Sequence, residues 1–244
     1  MPYSISRAIW SVGGSSLYFY LRSLVKSRKR SLSQAGQDFW VFAEAFDGKR
    51  GGTFVEIGSA DGISMNNTFL LEKRYGWSGL CIEANPEYFY GLQRVRTATC
   101  LNLCIDAKEG AVQFLARELG GGIVGPDTDN HEIRVLSAAP GMISLRTRSL
   151  GSVLDEHRVG RLTDYLSVDV EGAEDRVLGE FPFHEYRFNC ITVERPKKAL
   201  SETLQKNGYI LVRTMPGSDS FFIHESFRES YVQNIESFWA KNSQ

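Results

Sequence analysis

Residues 53–62 read Thr53-Phe54-Val55-Glu56-Ile57-Gly58-Ser59-Ala60-Asp61-Gly62. The β-branched and aromatic run from Thr53 to Ile57 predicts a buried strand, and two glycines follow it within five residues. Glycine lets a backbone approach a ligand where a Cβ would collide, and open α/β sheets bind ligands at the carboxyl ends of their strands. This turn is therefore where the sequence predicts a ligand.

The chemistry of this turn argues against a bound dinucleotide. The fingerprint G-x-G-x-x-G is not met, and the turn carries Glu56 and Asp61 but no Lys or Arg. These acids would repel a pyrophosphate, whereas they suit a ligand with a cation, an amino group and hydroxyls, such as S-adenosylmethionine. The E-x-G-x-x-x-G spacing resembles motif I of class I methyltransferases. The alternative is a glycine-rich turn that binds nothing.

The bulk composition is that of an ordinary globular protein of one or two domains, with 244 residues and a net charge of −1. The net charge gives no reason to expect nucleic acid as a partner. The first thirty residues carry +6 and the remainder −7. We divide the chain into a basic N-terminal helical arm, residues 1–32, and a single domain, residues 33–244. The arm either lies on an anionic membrane surface or packs on the domain.

The four cysteines are predicted to be reduced core residues, because each falls in a predicted strand and no metal-binding spacing is present. No stretch is apolar for the roughly 18 residues that a membrane span needs. We therefore expect a cytoplasmic protein, with peripheral contact at the inner membrane surface as the open alternative.

Alternation of strands and helices predicts an α/β fold. Strands are expected at 79–83, 98–105, 165–170 and 190–194, and residues 209–212 and 221–224 form a closing hairpin. The alternation lapses at 116–141, a glycine-rich insertion loop of the kind that often covers a site.

Acidic residues end four of the predicted parallel strands, and they should meet at one edge of the sheet. They are Glu56, Glu83, Asp169 with Glu171, and Glu194. Buried carboxylates are costly unless they have partners, so this convergence indicates a site. Glu83 is placed to bind a ribose diol, or else it caps the next helix. Asp106 is placed to accept from an adenine amino group, or else it is a turn residue.

The histidines are weak candidates for a general base. His157, His184 and His224 are expected at the opposite edge of the sheet. Only His131, in the insertion loop, is expected within reach of the site, and a solvated loop histidine is the alternative.

Several motifs together resemble the FkbM-type methyltransferases. They are Ser33-Gln34 with Asp38, residues 54–62, Asn67-Thr68, Leu71-Glu72, Gly76-Trp77, Cys81-Ile82-Glu83-Ala84-Asn85-Pro86 and Ser167-Val168-Asp169-Val170-Glu171-Gly172-Ala173-Glu174. The resemblance covers residues 33–213. It implies a class I Rossmann-like methyltransferase fold, with a mostly parallel seven-stranded sheet, helices on both faces and an antiparallel last strand.

The resemblance also implies an enzyme that uses S-adenosylmethionine to methylate a hydroxyl of a small molecule or saccharide, with a glycan or lipid-linked sugar as the expected acceptor. We predict cofactor contacts at Gln34, Glu56, Ile57, Gly58, Ser59, Asp61, Gly62, Asn67, Glu83, Ala84, Asp106 and Asp169. The predicted catalytic residues are Asp169, Glu171 and Glu194, with Asp169 and Glu194 as candidates for the base.

Three alternatives stay open on the sequence. We predict no metal, but Asp169, Glu171 and Glu194 could instead hold a divalent ion that lowers the pKa of the hydroxyl. The protein could be a nicotinamide-dependent oxidoreductase, which the missing fingerprint disfavours. The third alternative is a cofactor-binding scaffold without turnover. With any of these functions, the protein could form a homo-oligomer.

Overall fold

The computed structural model describes residues 31–117, 120–131 and 140–241. The predicted basic arm, apart from its last two residues, lies outside this described part. Within the described part, no helix has the length and hydrophobicity needed to cross a membrane.

The described chain alternates strands and helices as predicted. The strands are β1 Thr53–Ile57, β2 Ser78–Ile82, β3 Thr99–Leu101, β4 Cys104–Ile105, β5 Gly110–Leu115, β6 Gly122–Ile123, β7 Met142–Arg148, β8 Leu162–Val168, β9 Arg187–Glu194, β10 Tyr209–Thr214 and β11 Asp219–His224. The helices are α1 Gln37–Phe39, which continues as a π-helical turn Trp40–Ala45, α2 Phe69–Tyr75, α3 Pro86–Val95, α4 Leu150–Glu156, α5 Glu174–Gly179, α6 Lys198–Lys206 and α7 Arg228–Lys241, which a 3₁₀ turn Glu225–Phe227 precedes.

Seven strands form the main sheet in the order β10-β11-β9-β8-β1-β2-β3. The pairs from β9 to β3 are parallel, while β11 runs antiparallel to both β9 and β10. The predicted class I Rossmann-like fold, with its antiparallel last strand, is confirmed.

Successive side chains of a strand point to opposite faces of the sheet, and here the side chains on both faces are buried. Phe54 belongs to a cluster that includes Trp40 of the π-helical turn and Trp239 of α7. Its neighbour Val55 belongs to a second cluster, with Val153 of α4 and others from α5 and α6. Helices therefore cover both faces, and the carboxyl ends of the parallel strands are left as the open edge.

The prediction of one strand over 98–105 is wrong, because the chain changes sheets in the middle. Asn102 donates its side-chain N–H to the carbonyls of Glu83 (2.8 Å) and Ala84 (3.1 Å), which ends the ladder between β2 and β3. The chain then pairs as β4 with β7 in a second sheet, of order β4-β7-β5-β6.

The second sheet contains part of the predicted insertion loop. β6 lies within residues 116–141 and pairs antiparallel with the end of β5, through Phe114↔Ile123 and Leu115↔Gly122. This small sheet stands beside the carboxyl edge of the main sheet, so it supplies a wall to the site described next.

All four cysteines are free, as predicted, and three of them are buried.

Candidate active site

A two-lobed cleft lies at the carboxyl ends of β1, β2 and β8. The apolar lobe has hydrocarbon walls from Ile82, Leu103, Phe114 and Ile123. The lining of the acidic lobe includes Gln34, Glu56, Ser59, Asn67, Asp169, Glu171 and Glu194. The lobes share Gly58, Ala60, Gly120, Asp169 and Glu171. They are therefore two parts of one site.

The two glycines of the 53–62 stretch allow close packing within the protein. Gly58 has φ 85°, and a Cβ there would lie 1.8 Å from the backbone oxygen of Asp169. Gly62 has φ 81°, and a Cβ there would lie 2.6 Å from Leu92 of α3. The interpretation that both glycines admit a ligand is therefore incomplete, since neighbouring protein atoms already require them. Gly58 lines the cleft, whereas Gly62 lines neither lobe.

Glu56 lines the acidic lobe but uses both carboxylate oxygens to hold the protein together. Oε1 accepts from the backbone N–H of Asn67 (3.0 Å), and Oε2 accepts from Asn66 Nδ2 (2.9 Å) and Thr68 Oγ1 (2.9 Å). The buried Arg96 guanidinium lies 3.5 Å from Oε2. Glu56 therefore orders the 66–68 segment, a role that sequence reasoning did not assign to it.

Glu83 lies in the apolar lobe and is 7% exposed. Its Oε2 accepts from the backbone N–H of Ala60 and its Oε1 from that of Asn85, both at 2.7 Å. Burial, followed by the nearby Glu56 charge, raises the pKa of Glu83 to about 7. The alternative that Glu83 caps α3 is wrong, because the cap is Asn85, whose side chain accepts from the Glu87 N–H.

Asp61 and Asp106 are not brought to the cleft, and neither lines a lobe. Asp61 Oδ1 closes its own turn by accepting from the N–H groups of Ile63 (2.8 Å) and Ser64 (2.7 Å). Asp106 follows β4 in the second sheet and is paired with Arg176, whose Nε lies 2.8 Å from Oδ1. The predicted adenine contact at Asp106 assumed that the strand continued along the main sheet, which it does not.

A carboxylate cluster occupies the floor of the acidic lobe. Oxygens of Asp169, Glu174 and Glu194 all lie within 4.8 Å of one another, a geometry that could hold a metal ion. Burial, then the charges of Glu194 and Asp219, raise the pKa of Asp169 well above its ordinary range. The neighbouring carboxylate charges and burial therefore favour the protonated form of Asp169.

Two acids at this site are not predicted from the sequence. Glu174 has no predicted role, and its Oε1 accepts from the N–H groups of Val170 (2.9 Å) and Gly172 (3.2 Å). Asp219, whose charge acts on Asp169, is the first residue of β11. It pairs in register with Glu194 because an antiparallel strand begins where its neighbour ends, and that rule could have located it.

Arg195 supplies positive charge to this cluster. Its Nη2 lies 2.8 Å from Glu194 Oε2, 3.1 Å from Glu171 Oε2 and 2.7 Å from Asp129 Oδ2. Burial and the Glu194 charge raise the pKa of Glu171, and Arg195 opposes this rise. Glu171 and Glu194 therefore reach the cleft as partners of one cation.

Asn67 offers an acceptor that nothing in the described protein uses. The residue is 5% exposed, and its Nδ2 donates to Ser167 Oγ (2.9 Å). Its Oδ1 has no hydrogen-bond partner among the described residues, although leaving a buried polar atom unpaired is costly. An ammonium group in the acidic lobe would satisfy it. With the apolar lobe and Glu83, these residues fit a ligand that joins an apolar heterocycle to a cationic amino acid.

The structure does not bring His131 to the cleft. It is exposed, and its Nδ1 lies 3.1 Å from the carbonyl of Thr128. Of the other predicted residues, Gln34 and Ser59 line the acidic lobe, while Ile57 and Ala84 line the apolar lobe.

Comparison with known proteins gives one family. Residues 56–211 match the family model described as the Methyltransferase FkbM domain. No curated protein matches the chain in sequence.

Solved structures show more distant likeness. The METTL16 MTase domain is 13% identical with a TM-score of 0.40, over 76% of this chain and 64% of that one. A methyltransferase from Pyrococcus furiosus is 14% identical with a TM-score of 0.37, over 91% of this chain and 99% of that one. A variant of MtNAS in complex with S-adenosylmethionine is 15% identical with a TM-score of 0.40, over 91% of this chain and 70% of that one. The chain thus spans less than two thirds of the METTL16 domain.

Proposed function

The chain belongs to the FkbM methyltransferase domain family, and we propose that it transfers a methyl group from S-adenosylmethionine to a hydroxyl of a small molecule or saccharide. A glycan or lipid-linked sugar is the proposed acceptor. The observation that carries the proposal is the two-lobed cleft, whose lobes meet at the half-buried carboxyl of Asp169.

The division of the cleft supports the following proposed cofactor contacts. The apolar lobe takes the adenosine, with Glu83 as acceptor for ribose hydroxyls. Asn67 Oδ1 accepts from the amino group in the acidic lobe. When bound, the cofactor supplies an electrophilic methyl group on a sulfonium sulfur. The cluster around Asp169 favours this positive charge electrostatically.

Asp169 and Glu194 handle the proton of the acceptor hydroxyl. The hydroxyl oxygen would form the new bond to the methyl carbon that the cofactor supplies, and the thioether of the cofactor would be the leaving group. The hydroxyl proton passes to whichever carboxylate of this pair is ionised. A raised pKa suits a group that must accept a proton during the reaction. The remaining catalytic contribution is alignment of the hydroxyl with the methyl group.

The family match sets aside the nicotinamide-dependent oxidoreductase. A scaffold without turnover differs from an enzyme only in its rate, so two measurements are needed. Calorimetric titration of the full chain with S-adenosylhomocysteine, with NAD in parallel, should show micromolar binding of the first and none of the second. Incubation with S-adenosylmethionine and a panel of sugars and glycolipids should then give a product 14 mass units heavier. Absence of S-adenosylhomocysteine binding would refute the proposal. Binding of S-adenosylhomocysteine without any methylated product would favour the scaffold.

We also propose a cytoplasmic protein whose basic residues 1–30 contact anionic lipid at the inner membrane surface. Recovery of the full chain with anionic liposomes should fall when residues 1–30 are deleted, and unchanged recovery would refute this part.

A further inference from the structure

Residues 120–131, here called the cover segment, form one side of the cleft. Gly120 lines both lobes, and Gly121, Gly122 and Ile123 line the apolar lobe. Its pairing with β5 involves only the two residues of β6. The cover segment must therefore be held against the site mainly by contacts other than sheet pairing.

Three of those contacts are made by cations from other elements. Arg195 Nη2 lies 2.7 Å from Asp129 Oδ2, and Arg176 Nη1 lies 3.4 Å from Asp127 Oδ1. Lys197 Nζ donates to the backbone oxygen of Asp127 at 2.5 Å. Backbone bonds from the Asp129 N–H to the carbonyl of Glu171 (3.1 Å) and from the Val124 N–H to the carbonyl of Gln113 (2.8 Å) add to them, as does the packing of Ile123.

Arg195 differs from the other two cations because it also reaches the cleft acids. The same Nη2 that contacts Asp129 lies 3.1 Å from Glu171 Oε2 and 2.8 Å from Glu194 Oε2. Its side chain is 43% exposed, so water and salt reach the contact. One guanidinium thus joins the position of the cover segment to the position of two site carboxylates.

The backbone on both sides of this contact is held in a costly conformation. Arg195 has φ 39° and Glu171 has φ 54°, both in the left-handed region that non-glycine residues rarely adopt. Gly172 has φ 92°, and a Cβ there would lie 2.5 Å from the Asp129 nitrogen. Strain of this kind persists where the surrounding structure imposes it, and it is concentrated at functional sites.

We propose that Arg195 is a positioning residue, which latches the cover segment over the bound cofactor and in the same contact orients Glu171 and Glu194. The inference rests on the proposed function for the identity of the ligand. Opening of this latch would then gate cofactor exchange, because Gly120–Gly122, which line the cleft, belong to the same segment as Asp129.

The test compares four variants of the full chain. Arg195→Gln removes both functions, Asp129→Asn removes only the cover-segment side, and Arg195→Lys keeps a cation. Lys198→Gln, at the start of α6, is the matched control, because that lysine is 91% exposed and its ion pair within the described part of the chain is with Glu202. Release of S-adenosylhomocysteine from immobilised protein is followed by surface plasmon resonance.

Arg195→Gln and Asp129→Asn should both release the ligand about two- to fivefold faster, as expected for losing exposed ion pairs, and Arg195→Lys should restore part of the difference. Raising salt should accelerate release from the wild type and not from Arg195→Gln. Only Arg195→Gln should also lower kcat, since Asp129→Asn leaves Glu171 and Glu194 paired.

Release rates within twofold of the wild type for both variants would overturn the proposal. Failure of the wild type to bind S-adenosylhomocysteine would instead overturn the proposed function. In that case amide hydrogen exchange still tests the latch, because peptides from residues 120–131 should exchange faster in Asp129→Asn than in Lys198→Gln. Equal exchange would overturn the latch independently of any ligand.

Discussion

Replacing Arg96 by methionine should destabilise the whole domain, because the guanidinium lies at the centre of a buried ionic network. Its side chain is 0% exposed, and those of Glu56 and Glu72 are 2% and 3% exposed. Nε lies 2.7 Å from Glu72 Oε2, and Nη2 donates to Thr68 Oγ1 (2.7 Å). Methionine fills similar volume but leaves Glu56 buried without its cation and Glu72 with Lys73, 2.7 Å from Oε1, as its remaining partner of opposite charge.

Breaking a buried ion pair on one side costs about 3–5 kcal/mol. For a domain of this size, one kcal/mol corresponds to about 2–4 °C in the melting temperature, so we expect Arg96→Met to melt about 10 °C lower. Differential scanning calorimetry at pH 7.5 measures this shift. Arg94→Met, in the same stretch of chain but with its guanidinium stacked over Tyr90, is the control and should move the melting temperature little.

Adding Glu72→Gln to Arg96→Met should recover part of the lost melting temperature, since it removes one of the two buried negative charges that Arg96 contacts. A shift below about 2 °C for Arg96→Met alone would show that Glu56 and Glu72 do not depend on Arg96, and the reasoning would be refuted.

Four further outcomes are expected. Asp169→Asn should lower kcat by about 100- to 10,000-fold, while calorimetry should find the affinity for S-adenosylhomocysteine unchanged within a few-fold. Full activity of this variant would exclude Asp169 from the proton transfer. S-adenosylhomocysteine binding should weaken about tenfold from pH 8 to pH 6, because Glu83, with a pKa of about 7, loses its charge as pH falls and can no longer accept from both ribose hydroxyls. Glu83→Gln should show no such pH dependence. Gly58→Ala should abolish soluble folded protein, whereas Gly91→Ala, in α3 with open space around it, should raise the melting temperature slightly. Methyl transfer should survive exhaustive chelation, and its loss with recovery on adding Mg²⁺ would show instead that Asp169, Glu174 and Glu194 hold a metal.

The sequence was most informative where hydrophobic pattern and topology act together. Strand β1, the acids that end strands β2, β8 and β9, and the antiparallel hairpin all follow from local pattern and the rule that parallel strands share an edge. Asp169, Glu171 and Glu194 were located in this way.

Prediction failed where a side chain redirected the backbone or consumed a functional group. The side chain of Asn102 donates to two backbone carbonyls where β3 ends. The sequence of residues 98–105 does not show which carbonyls this side chain will reach. Glu56 looked available to a ligand because its partners, above all Arg96, are distant in sequence. Asp219 was missed because the register of β11 against β9 cannot be obtained from a turn motif alone.

The departure of the chain at Asn102 has a consequence for protein engineering. The excursion through the second sheet leaves along β4 and comes back along β7, and these two strands are neighbours in register, Cys104↔Thr147. Its two ends are therefore only about one strand spacing apart, ~4.8 Å. Residues between them form one wall of the cleft without interrupting the seven-stranded sheet. This part of the protein is consequently a natural cassette: the corresponding excursion of another family member would reshape the apolar lobe, through positions such as Phe114 and Ile123, while the acids of the main sheet are kept.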